Sequence, residues 1–163
     1  MFFNADKGFP GPGWRVGLGA IQTLDSNNPY SSWLTGKQSV LYIAPEGTRH
    51  DLSYNPTTGR YESYDSSYLE FTWGSRVLRT TNGTQITFGD SATVNGDHQF
   101  LPTQIKDRNG NFISISYRSL DNTDRVIDYI IDTAGRRVDF YCQSNRLLEL
   151  RQNRSGSWYR YVV

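Results

Sequence analysis

The stretch Gly110-Asn-Phe-Ile-Ser-Ile-Ser-Tyr117 decides the fold class: a glycine opens it, Ile113, Ile115 and Tyr117 share one parity, and Ser114 and Ser116 share the other. Side chains along a strand point alternately to opposite faces, so this is a half-buried strand entered through an Asn109-Gly110 turn. The spacing recurs in Gly47-Thr-Arg-His-Asp-Leu-Ser-Tyr54, and looser copies follow in Asp132-Thr-Ala-Gly135-Arg136-Arg-Val-Asp-Phe-Tyr141 and Arg154-Ser-Gly156-Ser-Trp-Tyr-Arg-Tyr161. Asn82-Gly83 and Ala134-Gly135 also suit tight turns, because glycine reaches positive φ without steric cost. Most of the chain therefore reads as imperfect copies of one hairpin, and such repetition points to a scaffold. The copies are not equivalent. Tyr141 has the opposite parity from Tyr117, so a bulge or one-residue register change must intervene if the two tyrosines do the same job.

Working outward, short strands are expected at Val40 to Ala44, His50 to Tyr54, Arg60 to Tyr64, Tyr68 to Trp73, Arg76 to Thr80 and Thr84 to Phe88. They resume at Thr103 to Lys106. Asn145-Arg-Leu-Leu-Glu-Leu-Arg-Gln152 comes nearest to a helix, but Leu148 and Leu150 alternate around Glu149, which makes it a strand. Residues 1–36 form a Gly/Pro/Trp entry segment and first strand, 37–89 a set of hairpins, 90–100 a polar loop, and 101–163 the clearest repeats. Together they make one continuous all-β, antiparallel domain.

A chain of 163 residues is long enough for one domain core. Seventeen basic against sixteen acidic residues give a net charge of +1 with no basic stripe, which argues against nucleic acid and charged membrane surfaces as partners. No run approaches the length of a membrane-spanning helix, and the N-terminus lacks a basic-then-apolar leader pattern. The lone Cys142 reads as a small buried hydrophobe. The closing Trp158-Tyr-Arg-Tyr-Val-Val163 still reads as strand, so the sequence is expected to be a piece of a longer array.

Gly11-Pro-Gly13-Trp14 and the strand after it resemble the entry motif of the repeat shell of Rhs proteins. The segments around Asp107, Gly110 and Tyr117, and around Asp132, Gly135, Arg136 and Tyr141, resemble tyrosine-aspartate (YD) repeats, with Gly47 and Tyr54 as an earlier copy. The resemblance spans nearly the whole chain. It implies an open, strongly curved antiparallel sheet forming part of a spiral β-cocoon. It also implies a secreted or extracellular setting, and as partners the rest of the shell and an enclosed C-terminal toxin or effector. The paired aspartates that close such shells by cutting the chain have no counterpart after Tyr141, so no enzymatic activity carries over.

Reading the residues one by one gives no catalytic, metal or cofactor site. His50 and Asp51 are neighbours in a strand and face opposite ways, so they cannot form a dyad; His50 and His98 read as surface histidines. Asp107, Asp128 and Asp132 precede turns, where aspartate accepts backbone hydrogen bonds. There is no Gly-x-Ser-x-Gly, no phosphate loop and no His or Cys clustering at metal spacing. The aromatic content, four tryptophans and eleven tyrosines, supports one alternative: a self-contained carbohydrate-binding or adhesion domain that stacks sugars of a cell-surface glycan on Trp33 and Trp73. Cross-strand packing is the simpler use of the same rings.

Overall fold

The structure is a computed structural model that describes residues 16–23, 40–94, 97–119, 125–143 and 146–162. Gly11, Gly13, Trp14 and Trp33 lie outside the described residues. Thirteen strands and no helix occur among the described residues, and the pairings between strands are antiparallel. The chain divides into two compact units, Gly17–Gly110 and the residues from Asn111 on.

The first unit holds β1 (Ala20–Thr23), β2 (Val40–Ile43), β3 (Arg49–Asn55), β4 (Arg60–Ser63), β5 (Glu70–Thr72), β6 (Val77–Arg79), β7 (Gln85–Val94) and β8 (Asp97–Lys106). Each strand pairs with the next, and β1 also pairs with β8 through Ile21↔Phe100 and Gln22↔Gln99. The expected open sheet is therefore corrected here: eight strands close into a barrel, so that β1 and β8 cover each other's edges. Alternation sends Ile21, Val40, Tyr42, Leu52, Tyr61, Phe71, Leu78, Ile86, Phe88 and Phe100 into one core. Phe71 and Phe88 are completely buried and meet edge to face, with ring centroids 6.3 Å apart. Filling an eight-stranded barrel with such side chains is the ordinary solution at this strand number.

The polar loop expected at residues 90–100 is also corrected. β7 and β8 run ten residues each and face one another from Gln85↔Lys106 to Val94↔Asp97. The two residues left between them in the sequence are Asn95-Gly96, the composition of a two-residue hairpin turn. Alternation is broken in the middle of this hairpin, where the register shifts on both sides of Phe88. Gly89 sits at that bulge because a Cβ there would lie 2.6 Å from the Thr103 hydroxyl. Pro102, which has no N–H for a ladder, occupies the same irregularity.

The second unit is an antiparallel meander of β9 (Phe112–Ser119), β10 (Arg125–Asp132), β11 (Arg137–Gln143), β12 (Arg146–Arg154) and β13 (Ser157–Val162). Val126, Cys142 and Leu147 form a small core with Phe140 and Leu150 against it. Burial pushes the Cys142 thiol upward in pKa. Among the described residues β13 pairs with β12 only, and it is exposed along its whole length.

Candidate functional site

The repeat motif becomes a repeated piece of hydrogen-bonded geometry. In Ala44–Thr48, the Ala44 N–H donates to the Thr48 carbonyl at 2.8 Å and the Gly47 N–H donates to the Ala44 carbonyl at 2.9 Å. Thr80–Thr84 repeats both bonds at 3.0 Å each, and Asp132–Arg136 repeats them at 3.0 and 2.9 Å. At Asp107–Asn111 the Gly110 N–H again donates to the Asp107 carbonyl, at 3.2 Å. The glycines have φ of 95°, 85°, 77° and 92° at Gly47, Gly83, Gly135 and Gly110. A turn closed by a left-handed residue is the usual three-residue hairpin solution, and only glycine takes that conformation freely.

Two of the three aspartates expected before turns do what that position suggests, whereas Asp128 lies inside β10 at its register shift. Asp107 Oδ1 accepts the Asn109 N–H at 2.8 Å, and Asp132 Oδ1 accepts the N–H groups of Ala134 and Arg136 at 3.0 and 2.9 Å. The Arg136 side chain clamps Asp132 Oδ2 at 2.6 Å, and these contacts hold that carboxyl below the usual carboxylate range. The Gly156 copy is a different turn: β12 and β13 are joined by Ser155-Gly156, both with positive φ, 51° and 84°. That is the mirror-image two-residue hairpin.

The repeat tyrosines diverge. Tyr54 packs against the barrel core, its ring 5.4 Å from that of Tyr61. Tyr117 lies opposite Ile127, on the parity of Ile115. Following the register through Ile115↔Ile130↔Val138 places Tyr141 on the other face, where it is exposed under the Arg151 guanidinium, 4.4 Å from its ring centroid. Register shifts do occur, at Asp128 and at Leu148, but they do not bring the two tyrosines to one face.

On the face of Tyr141 lies a feature with no signal in the sequence. The Glu149 carboxylate, nearly inaccessible, receives Arg151 Nε at 2.5 Å and Arg160 Nε at 2.7 Å. Arg151, then Arg160, keep it below the usual carboxylate range. Arg137 lies over the Tyr129 ring at 3.8 Å and pairs with Asp139 at 2.5 Å. The facing positions Glu149, Arg151 and Arg160 belong to two strands, so only the register reveals their cluster.

His50 also differs from expectation. It is not a free surface side chain: its Nδ1 lies 2.5 Å from Asp65 Oδ2, in the loop after β4, and its ring stacks on Tyr42 with centroids 6.0 Å apart. It shares the parity of Leu52 and Tyr54, which turns it toward the core side of β3. Trp73, the other sugar-stacking candidate, is 42 % exposed, and its edges and faces meet Tyr61, Phe71 and Phe100 at 5.9–6.2 Å. Among the described residues no group of three or more His, Cys, Asp or Glu is placed to hold a metal ion.

No protein-family model matches the chain, and no curated protein is significantly similar to it.

Proposed function

We propose that the chain is a non-catalytic structural segment of an Rhs-like YD-repeat shell that encapsulates a C-terminal effector. The observation that supports this reading is the recurrence of one turn geometry, with an Asp, Thr or Ala three residues before a left-handed glycine, in both units. Among the described residues β13 pairs on one side only, which supports it as well, because an exposed edge strand is a template for another strand. Its partners would be the rest of the shell and the enclosed cargo, and its role mechanical: a cargo behind a closed wall cannot meet its substrate. Limited proteolysis of the natural translation product tests the reading. Protection of a downstream segment until the wall is denatured is the expected result; free digestion of that segment, or a stop codon directly after this sequence, overturns it.

A second reading is favoured by one feature, the closure of the first unit. A barrel with its own core and mutually covered β1 and β8 edges is what a self-contained carbohydrate-binding or adhesion domain needs. Saturable quenching of tryptophan fluorescence by a glycan, from a monodisperse protein, would favour this reading over the wall.

A further inference from the structure

Nine aromatic side chains of the first unit lie among the described residues. Seven of them (Tyr42, Tyr54, Tyr61, Phe71, Trp73, Phe88 and Phe100) touch another ring. The other two, Tyr64 and Tyr68, contact no ring and hydrogen-bond to nothing among the described residues, and they are 75 % and 71 % exposed. Both stand in one short loop, Tyr64-Asp-Ser-Ser-Tyr68, between β4 and β5.

This loop is strained and tied down. Ser66 and Tyr68 have φ of 64° and 51°, the left-handed region that a bulky aromatic rarely enters. Ser63 Oγ accepts the Leu69 N–H at 2.9 Å and shares a hydroxyl–hydroxyl hydrogen bond of 2.7 Å with Ser67; Asp65 accepts the Ser67 N–H at 3.1 Å and the Ser67 hydroxyl proton; His50 fixes Asp65 from β3. Leu69, 6 % exposed, roots the loop in the barrel core. Strain of this kind persists only where surrounding contacts over-determine the backbone, and it concentrates where a chain holds groups for a ligand.

We infer that Tyr64 and Tyr68 form a stacking platform for a neutral, polyhydroxylated ligand, the exposed residues of a glycan chain. Two tyrosines offer apolar ring faces with hydroxyls at their edges, which is what a sugar ring matches. Asp65, the loop's one charged side chain, already has His50 and Ser67 as partners, and the loop carries no cation of its own. The surface is also far smaller than the roughly 800 Å² per partner that a standard protein interface buries. Because the loop backbone is held in advance, binding has only the two tyrosine side chains to order. This goes beyond the shell reading, and it moves the ligand of the carbohydrate reading from Trp73 to the β4–β5 loop.

The test is NMR of the whole chain, following tyrosine and tryptophan ring resonances during titration with linear β-1,4 hexasaccharides of glucose, xylose and N-acetylglucosamine to millimolar concentration. Saturable shifts at Tyr64 and Tyr68 are expected with at least one of them, weakened about two- to tenfold by either Tyr64→Ala or Tyr68→Ala. Asp65→Asn, which keeps both rings but loosens the loop, is expected to weaken binding as well. No shift at either tyrosine with any hexasaccharide overturns the platform. Shifts confined to Trp73 overturn it while leaving the carbohydrate reading in place, and so does unchanged binding by the Tyr64→Ala/Tyr68→Ala double variant.

Discussion

Asp65 and His50 lie 15 residues apart in the sequence and 2.5 Å apart in space. Parity alone rules out Asp51 as the partner of His50, but it says nothing about which loop closes over β3, and so the histidine reads as a surface residue until the β3–β4 register is known. His50→Ala is expected to lower the urea midpoint more than Tyr64→Ala, because the Tyr64 side chain is 75 % exposed. The Ser67 hydroxyl, then His50, hold the Asp65 carboxyl well below its usual pKa. A depressed folded pKa contributes stability above the unfolded value, near 4, that is lost as pH falls through the folded one. Melting temperature is therefore expected to fall as wild type is acidified below about pH 4, and less so in Asp65→Asn. Tyr42 gives the opposite limb. Burial, then Glu46, push its hydroxyl up to about 12, so its contribution is intact below the unfolded value near 10 and is lost as pH rises through about 12. Tyr42→Phe is expected to flatten the alkaline side of the same profile. Ser66→Gly, which relieves left-handed strain, is expected to stabilise by about 1 kcal/mol in equilibrium urea melts.

At the scale of elements, the turns are the most legible part of the chain. Asn82-Gly83, Asn109-Gly110 and Ala134-Gly135 announce themselves because few residues take positive φ, and each glycine takes it. Gly110→Val is expected to lose about 1–3 kcal/mol. A Cβ at Gly110 would meet nothing within 4 Å, so the loss would come from the backbone alone. Gly74 also has open space around it but lies outside the left-handed region, and Gly74→Ala is expected to change the urea midpoint little. Equal losses from the two variants would refute the assignment. The β7–β8 hairpin shows why reading fails elsewhere. Its distal half is polar and its pairing crosses a bulge at Gly89, so alternation measured from Phe88 no longer predicts a strand beyond it. The Glu149 cluster is hidden for a related reason: its two arginines come from different strands and are brought together by register.

For the whole molecule, the all-β antiparallel character can be read from period and turn chemistry, while closure cannot. Local patterns specify which face of a strand is buried; they do not specify that the first strand meets the eighth. Phe71→Ala, at the centre of the closed unit, is expected to cost about 3–5 kcal/mol by chemical denaturation, the range for emptying a packed aromatic site. In the second unit, Tyr159→Lys with Tyr161→Lys is expected to reduce concentration-dependent light scattering, since lysines blunt an exposed edge. Closure also sets a schedule. Phe100 lies 79 residues beyond Ile21, so at roughly 5–20 residues per second a ribosome leaves the first strand without its second neighbour for about 4–16 seconds. During that interval β1 offers a row of unpaired backbone groups to whatever strand is nearby, and the chain is most open to mispairing with another nascent copy before Phe100 is made.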